Sequence, residues 1–333
     1  MLLQSGINSI PLTEIKKILV IRLSSFGDII LSFPLLKLLN KSFPGAEIHF
    51  LTKSIYTEVA ALNPYIDKII EFGGSVNETR KKIKNSKYDL ILDIHKNFRS
   101  IYASIFTGSK VRRYYKDNFR KFLLVKFKWN LFREIIPVYK KYIFAISDLI
   151  KENGTEFTTS ELKFDKNRIY DFEYIVISPS SRHFTKTYPA EKFIDYINSN
   201  PDKKYILTGD NSDRDNNICS HIESKCGNTL NLCGKLDINK LASVIYHSEY
   251  VICNDSAILH LSEALGKKVI AIFGSTVKEF GFFPQLEQSV LIQINELKCR
   301  PCTHIGRESC PLGHFKCMEL ITNYKLQVVN LNS

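Results

Sequence analysis

The sequence predicts an α/β protein of two doubly wound parallel sheets, and three observations carry that reading. Short apolar runs rich in β-branched residues alternate with helix-compatible segments. The pattern restarts in the second half of the chain. Several runs end in a short Gly-, Ser- or Asp-containing loop that opens a helix. The 333 residues are 44% hydrophobic and 24% charged, a globular composition that excludes disorder along the length of the chain. Lys, Arg, Asp or Asn interrupts every hydrophobic run short of the ~18 residues that a spanning helix needs. Met1 to Lys17 has neither a basic start nor an apolar h-region, so a cytosolic protein is expected rather than a secreted one.

The first element is Lys17 to Arg22, which reads as a buried parallel strand. A loop from Ser24 to Asp28 follows. Ile29 to Leu39 has helical spacing, with Pro34 either kinking the helix or starting its regular part. Glu47 to Leu51 and Tyr88 to Asp93 read as further strands. In the second half, Glu173 to Ile177 is a strand that leads into Ser178-Pro179-Ser180-Ser181, and Ala190 to Asn198 is a helix. Lys204 to Thr208 and Glu249 to Cys253 are strands. Asn254 to Leu265 is a helix closed by Gly266, and Lys268 to Phe273 is a strand before Gly274. The polar stretch from about Glu152 to Asn167 is the expected linker, giving domains 1–165 and 166–333. Two such halves facing one another would bind a ligand in the cleft between them.

Charge and cysteine are distributed unevenly. The net charge is +12, and its excess of Lys and Arg is concentrated in residues 1–165, which therefore expect an anionic partner. Within the stretch 110–141, basic residues such as Arg112, Arg113, Arg120, Lys121 and Lys126 are interleaved with Tyr114, Phe119, Phe122, Phe127 and Trp129. That composition suits an anionic membrane surface, and equally a nucleic acid. All eight cysteines lie in the second half. Cys299 and Cys302 form a Cys-x2-Cys pair followed by Cys310 and Cys317, a ligand count that fits a structural zinc or iron, with His304 and His314 as substitutes. Reduced, buried thiols are the alternative.

Three segments carry candidate chemistry. Asn254 to His260 follows a strand and opens a helix, whose N-terminus offers unpaired N–H groups and a positive dipole end to a phosphate. Ser256 and His260 share one face. The alternative is a simple helix cap with a core histidine. The loop from Ser181 to Pro189 brings Ser181, Thr185 and Lys186 to the end of another strand, as a pyrophosphate clamp or merely a solvated loop. Asp28, in the turn after the first strand, is placed to take a proton from an attacking hydroxyl, or is an ordinary helix-start residue. Asp213-Arg214-Asp215 reads as a helix start rather than a metal-binding Asp-x-Asp.

Taken in order, these segments resemble a known family. Ile18 to Asp28, Asp93 to Ser100, Thr185 to Phe193, Asn254 to His260, Ala264-Leu265-Gly266 and Phe273-Gly274-Ser275-Thr276 are similar to the heptosyltransferases of lipopolysaccharide core synthesis, glycosyltransferase family 9. The resemblance covers nearly the whole chain. It implies a GT-B fold of two Rossmann-like domains, with the acceptor in the first and ADP-heptose in the second. It also implies inverting transfer with no catalytic cofactor or metal. By position, Asp28 matches the base and Lys186 the lysine on the donor phosphates. Asp255, Ser256, Ala257 and His260 match the donor-binding helix start. Arg99, Arg112, Arg113 and Arg120 are then expected to hold an anionic, lipid-linked sugar acceptor at the inner face of the cytoplasmic membrane, with no nucleic acid partner. Ala257 stands where the family carries Gly, Ser180-Ser181 replaces Gly-Ala, and Ser275 to Lys278 lacks the usual Pro and Asp. Related enzymes that glycosylate proteins also carry a cysteine-bound metal, so a protein acceptor is the alternative within the family. A non-catalytic nucleic-acid binder using residues 110–141 is the alternative outside it.

Overall fold

The computed structural model describes residues 15–150, 157 and 161–322. In chain order its elements begin with β1 (Lys17–Ile21), α1 (Phe26–Ile30), α2 (Phe33–Ser42), β2 (Glu47–Lys53), α3 (Thr57–Ala61) and β3 (Lys68–Phe72). They continue with α4 (Val76–Ser86), β4 (Leu90–Asp93), α5 (Phe98–Ser104), β5 (Lys110–Arg113), α6 (Asn118–Phe127) and α7 (Val138–Ile143). The second series is β6 (Ile175–Ser178), α8 (Ala190–Asn198), β7 (Tyr205–Leu207), α9 (Asp213–Lys225), β8 (Thr229–Asn231) and α10 (Ile238–His247). It ends with β9 (Val251–Asn254), α11 (Ala257–Ala264), β10 (Val269–Phe273), β11 (Val290–Gln293) and α12 (Lys316–Glu319).

The strands form two parallel sheets, one five-stranded in the order β3-β2-β1-β4-β5 and one six-stranded in the order β11-β10-β9-β6-β7-β8. Each belongs to its own compact unit. The division is not a single cut, because residues 26–31 and 116–140 group with the unit of the six-stranded sheet. The expected linker lies largely outside the described residues.

Central strands are apolar on both faces because helices cover both. Ile18, Leu19, Val20 and Ile21 of β1 are fully buried, as are Ile175, Val176 and Ile177 of β6 and the whole of Val251–Cys253 in β9. Full burial of one such side chain stabilises the fold by about 1.5–3 kcal/mol. Pro34 sits in the first turn of α2, where its missing N–H costs nothing, so it starts a helix rather than kinking one. No helix among the described residues is long and apolar enough to cross a membrane.

Strand order fixes where a ligand can bind. In the six-stranded sheet the connections diverge between β6 and β9, and in the five-stranded sheet between β1 and β4. Chains leaving the carboxyl ends of two such strands turn to opposite faces and leave a crevice at the switch point. The loops after β6 and β9 carry Ser181 to Lys186 and Asp255 to His260. Asp28 follows β1, and Arg99 follows β4.

Candidate active site

At the switch point of the six-stranded sheet, one buried amide ties the two loops together. Asn254 ends β9 and is fully buried. Its Nδ2 donates to the Pro179 carbonyl at 2.8 Å, and its Oδ1 accepts the Tyr188 N–H at 3.0 Å. The next residue, Asp255, accepts from Lys186 Nζ at 2.8 Å and from Thr276 Oγ1 at 2.6 Å. The Lys186 and Asp255 side chains are only 15% and 9% exposed. Ser181 Oγ donates to the Asp255 carbonyl at 3.3 Å. Thr185 is buried and acts as a brace: its hydroxyl accepts the Arg307 N–H at 2.9 Å and its carbonyl accepts the Ser275 N–H at 3.2 Å. Gly274 makes this approach possible, since a Cβ there would lie 2.8 Å from the Thr185 carbonyl oxygen and 2.7 Å from Met318 Cε.

The start of α11 is unusual in what its polar groups leave undone. Ser256 occupies the N-cap position in extended conformation, yet its side chain makes no cap hydrogen bond. Ser256 Oγ, Ser275 Oγ and His260 Nδ1 are buried with no hydrogen-bond partner among the described residues. Unmade bonds of this kind are costly unless a ligand completes them. Such groups at a helix start, together with its dipole, are of the kind that can receive an anion. Burial pushes the His260 pKa down to about 4, so the imidazole is neutral at pH 7. The negative charges of Asp255 and Asp28 oppose that shift and Lys186 reinforces it. One ring therefore feels all three candidate charges.

Asp28 reaches this place because α1 packs against α11. A Cβ on Gly27 would lie 3.0 Å from His260 Cδ2 and 3.4 Å from the Ala257 Cα, so the contact needs glycine on one side and a small residue on the other. Asp28 itself is half-buried.

The basic residues are less concentrated in use than in sequence. Arg112 pairs with Asp148 at 2.7 Å and holds that carboxyl below its usual range. Arg113 donates to Asp93 at 3.3 Å and to Ser104 Oγ at 2.8 Å. Arg120 pairs with Asp117 at 3.3 Å, in the other unit. Each has its charge offset by a carboxylate of its own unit. Arg99 is exposed in the first turn of α5, beside the switch point of the five-stranded sheet.

The four cysteines are placed as follows. Among the described residues no three His, Cys, Asp or Glu side chains are arranged to hold a metal ion. Cys299, Cys302, Cys310 and Cys317 are free thiols. Cys317 is buried in the hydrophobic core beneath the sheet, with Cys310 packed against it. Burial pushes the Cys317 pKa up to about 11 and raises that of Cys302. His314 Nδ1 accepts the Lys316 N–H at 3.1 Å. Asp213-Arg214-Asp215 opens α9, with Ser212 Oγ accepting the Asp215 N–H, as a helix start should.

Three residues of this site went unassigned from sequence. Asn254 and Thr276 act through contacts between segments far apart in the chain. Glu263, one turn beyond His260, is fully buried, and its carboxylate accepts the Gln285 N–H at 2.8 Å and the Leu286 N–H at 2.9 Å. Burial still pushes its pKa up to about 7. A lone acid in a largely apolar helix was the available signal. Ser180, one departure from the family pattern, acquires a role as its Oγ donates to Asp215, and Thr276 Oγ1 donates to Asp255. A cavity of about 270 Å³ bounded by Leu124, Lys278 and Arg300 lies beside Thr276, whose carbonyl Arg300 binds, but none of the sequence-assigned residues lines it.

Comparison with known proteins bears on the family and the fold. Residues 76–312 match glycosyltransferase family 9 (heptosyltransferase). Lipopolysaccharide heptosyltransferase 3 of Escherichia coli is 22% identical over 278 residues, 75% of this chain and 81% of that one. Among solved structures, a family 9 glycosyl transferase from Veillonella parvula superposes with a TM-score of 0.74 at 19% identity, covering 96% of this chain and 98% of its own. The E. coli heptosyltransferase WaaC with ADP-2-deoxy-2-fluoro heptose gives a TM-score of 0.69 at 15% identity, covering 95% and 100%. The two parallel sheets are thus those of the GT-B heptosyltransferase fold, and the chain belongs to glycosyltransferase family 9, the heptosyltransferases.

Proposed function

We propose that this chain transfers heptose from ADP-heptose to an anionic, lipid-linked sugar of the lipopolysaccharide inner core, by inverting displacement without a catalytic metal. The observation that carries the reading is that the Lys186–Asp255 pair lies at the uncapped start of α11, against whose Ala257 and His260 the α1 segment carrying Asp28 packs through Gly27. The donor diphosphate lies against that helix start, bonded by backbone N–H groups, Ser256 Oγ and His260, with Lys186 supplying the charge. Asp28 takes the proton of the acceptor hydroxyl as its oxygen bonds to the anomeric carbon. The bond from that carbon to the phosphate oxygen breaks on the opposite face, and its electron pair leaves with ADP. Attack opposite to departure inverts the configuration.

Lysine and helix dipole stabilise the growing charge on the leaving diphosphate, the task that a metal performs in other transferases. Neutral His260 contributes a hydrogen bond rather than a charge. A heptosyl donor is supported by the ADP-2-deoxy-2-fluoro heptose in the WaaC structure, and a lipopolysaccharide acceptor by the name of the E. coli relative. Arg99 is the residue we assign to the acceptor anion, and the reaction is placed on the cytoplasmic side of the inner membrane. Turnover of the purified protein with a heptose-free lipopolysaccharide precursor tests the reading across ADP-heptose, ADP-glucose and UDP-N-acetylglucosamine. ADP-heptose is the expected donor; transfer from a uridine nucleotide sugar in its place would overturn it.

A further inference from the structure

Beyond the site, α6 and the segment behind it turn aromatic side chains outward. Trp129 is 61% exposed and Phe122 54%, and Phe119, Phe127 and Leu131 are exposed as well. The rings of Phe122 and Phe127 meet edge to face at 6.1 Å, and those of Phe127 and Trp129 lie 5.3 Å apart at 32°. They form one apolar knob. Leu123 and Leu124 already supply the buried side of the helix, and among the described residues the outer rings stay exposed, packed mainly on one another. Lys128 is exposed, but its Nζ turns back to donate to the carbonyls of Val125, Cys299 and Pro301, so its charge is engaged within the chain. Lys126 and Arg133 are exposed beside it, and from residue 116 to 134 only Asp117 and Glu134 are acidic.

Contiguous exposed apolar surface marks a binding site, and the surrounding charge selects its partner. A second copy of this chain would bring like charge against like. Single-stranded nucleic acid needs ring faces open for stacking, whereas these rings pack against one another. An anionic bilayer surface takes both components, apolar rings at headgroup depth and cations on lipid phosphates.

We propose that Phe122, Phe127 and Trp129 insert into the headgroup region of an anionic membrane, with Lys126 and Arg133 on its phosphates. The inference gives the lipid-linked acceptor reading its surface and rests on that reading for its purpose. Vesicle binding is measured without donor or acceptor, so its failure leaves the transferase reading standing.

Trp129 is the only tryptophan in the chain, so emission reports on the knob alone. With vesicles of phosphatidylglycerol and phosphatidylcholine in equal parts, the emission shifts to the blue and brominated lipid quenches it; phosphatidylcholine alone binds more weakly. Phe122→Ser with Phe127→Ser weakens vesicle binding at least about tenfold, from the apolar area lost, and Lys126→Glu weakens it in a salt-dependent way. These side chains are exposed, so the urea midpoints of the variants match the parent and exclude misfolding. Absence of binding, binding with unshifted Trp129 emission, or equal affinity of the double-serine variant would each overturn the proposal. So would an emission shift produced by an oligonucleotide or by protein concentration alone, which would assign the knob to nucleic acid or to a second copy.

Discussion

The Lys186–Asp255 pair has two tasks, and substitution separates them. Both side chains are largely out of water, and the bond between them is 2.8 Å long. Lys186→Met leaves a poorly solvated carboxylate with Thr276 Oγ1 as its remaining side-chain donor. Removing one member of a buried pair costs roughly 3–5 kcal/mol, and the residual exposure here puts the expectation at the lower end, about 3 kcal/mol. Asp255→Asn strands the ammonium but keeps an amide oxygen to accept from it, for a loss of about 2 kcal/mol. The double variant removes both charges and buries none. Its loss falls short of the sum of the single losses by about 2 kcal/mol. Urea unfolding of the four proteins measures that coupling. Transfer activity is assayed alongside, and it stays at least about 100-fold down in Lys186→Met and in the double variant, because neither presents a lysine to the diphosphate. Single losses that add within about 0.5 kcal/mol would show that the two charges are not coupled. Recovery of turnover in the double variant would show that Lys186 does not act on the donor.

Two further outcomes follow from the same helix. His260 has its pKa lowered from 6.5 to about 4, so the unfolded chain takes up a proton that the folded one refuses, and stability is lost as pH falls through that window. Glu263 has its pKa raised from 4.5 to about 7, so its contribution is lost as pH rises through that window. Each amounts to about 3 kcal/mol, and they oppose one another. Glu263→Gln therefore exposes the histidine slope, with urea midpoints that fall more steeply than the parent's as pH is lowered from 6.5 towards 4.5; parallel profiles would contradict it. Gly274→Ala forces a methyl group against the Thr185 carbonyl and Met318, and thermal unfolding should register about 1–3 kcal/mol of destabilisation.

What the sequence revealed depended on burial. The strands it disclosed, β1, β2, β4, β6, β7, β9 and β10, lie inside their sheets, covered on both faces, and read as continuous apolar runs. The strands it hid, β3, β5, β8 and β11, are the four edges. An edge strand is half-solvated and carries polar residues such as Lys68, Glu71, Arg112 and Arg113, which erase the pattern. Asp28, Lys186 and the stretch from Asp255 to His260 stand out in the sequence as candidates because each follows a strand at its carboxyl end. Asn254, Thr276 and Glu263 do not, because their roles lie in bonds to segments some 20 to 75 residues away. The cysteine spacing counts possible ligands but does not show how the four side chains are arranged, and among the described residues they form no metal-holding group.

Base catalysis by Asp28 is tested most directly by Asp28→Asn, which keeps the shape and removes the proton acceptor. Turnover of ADP-heptose and binding of ADP are measured on the same preparation. The expected result is a kcat lower by at least about 100-fold with ADP affinity unchanged, because the helix start and Lys186 remain intact. Transfer at the parental rate by the asparagine variant would contradict the assignment.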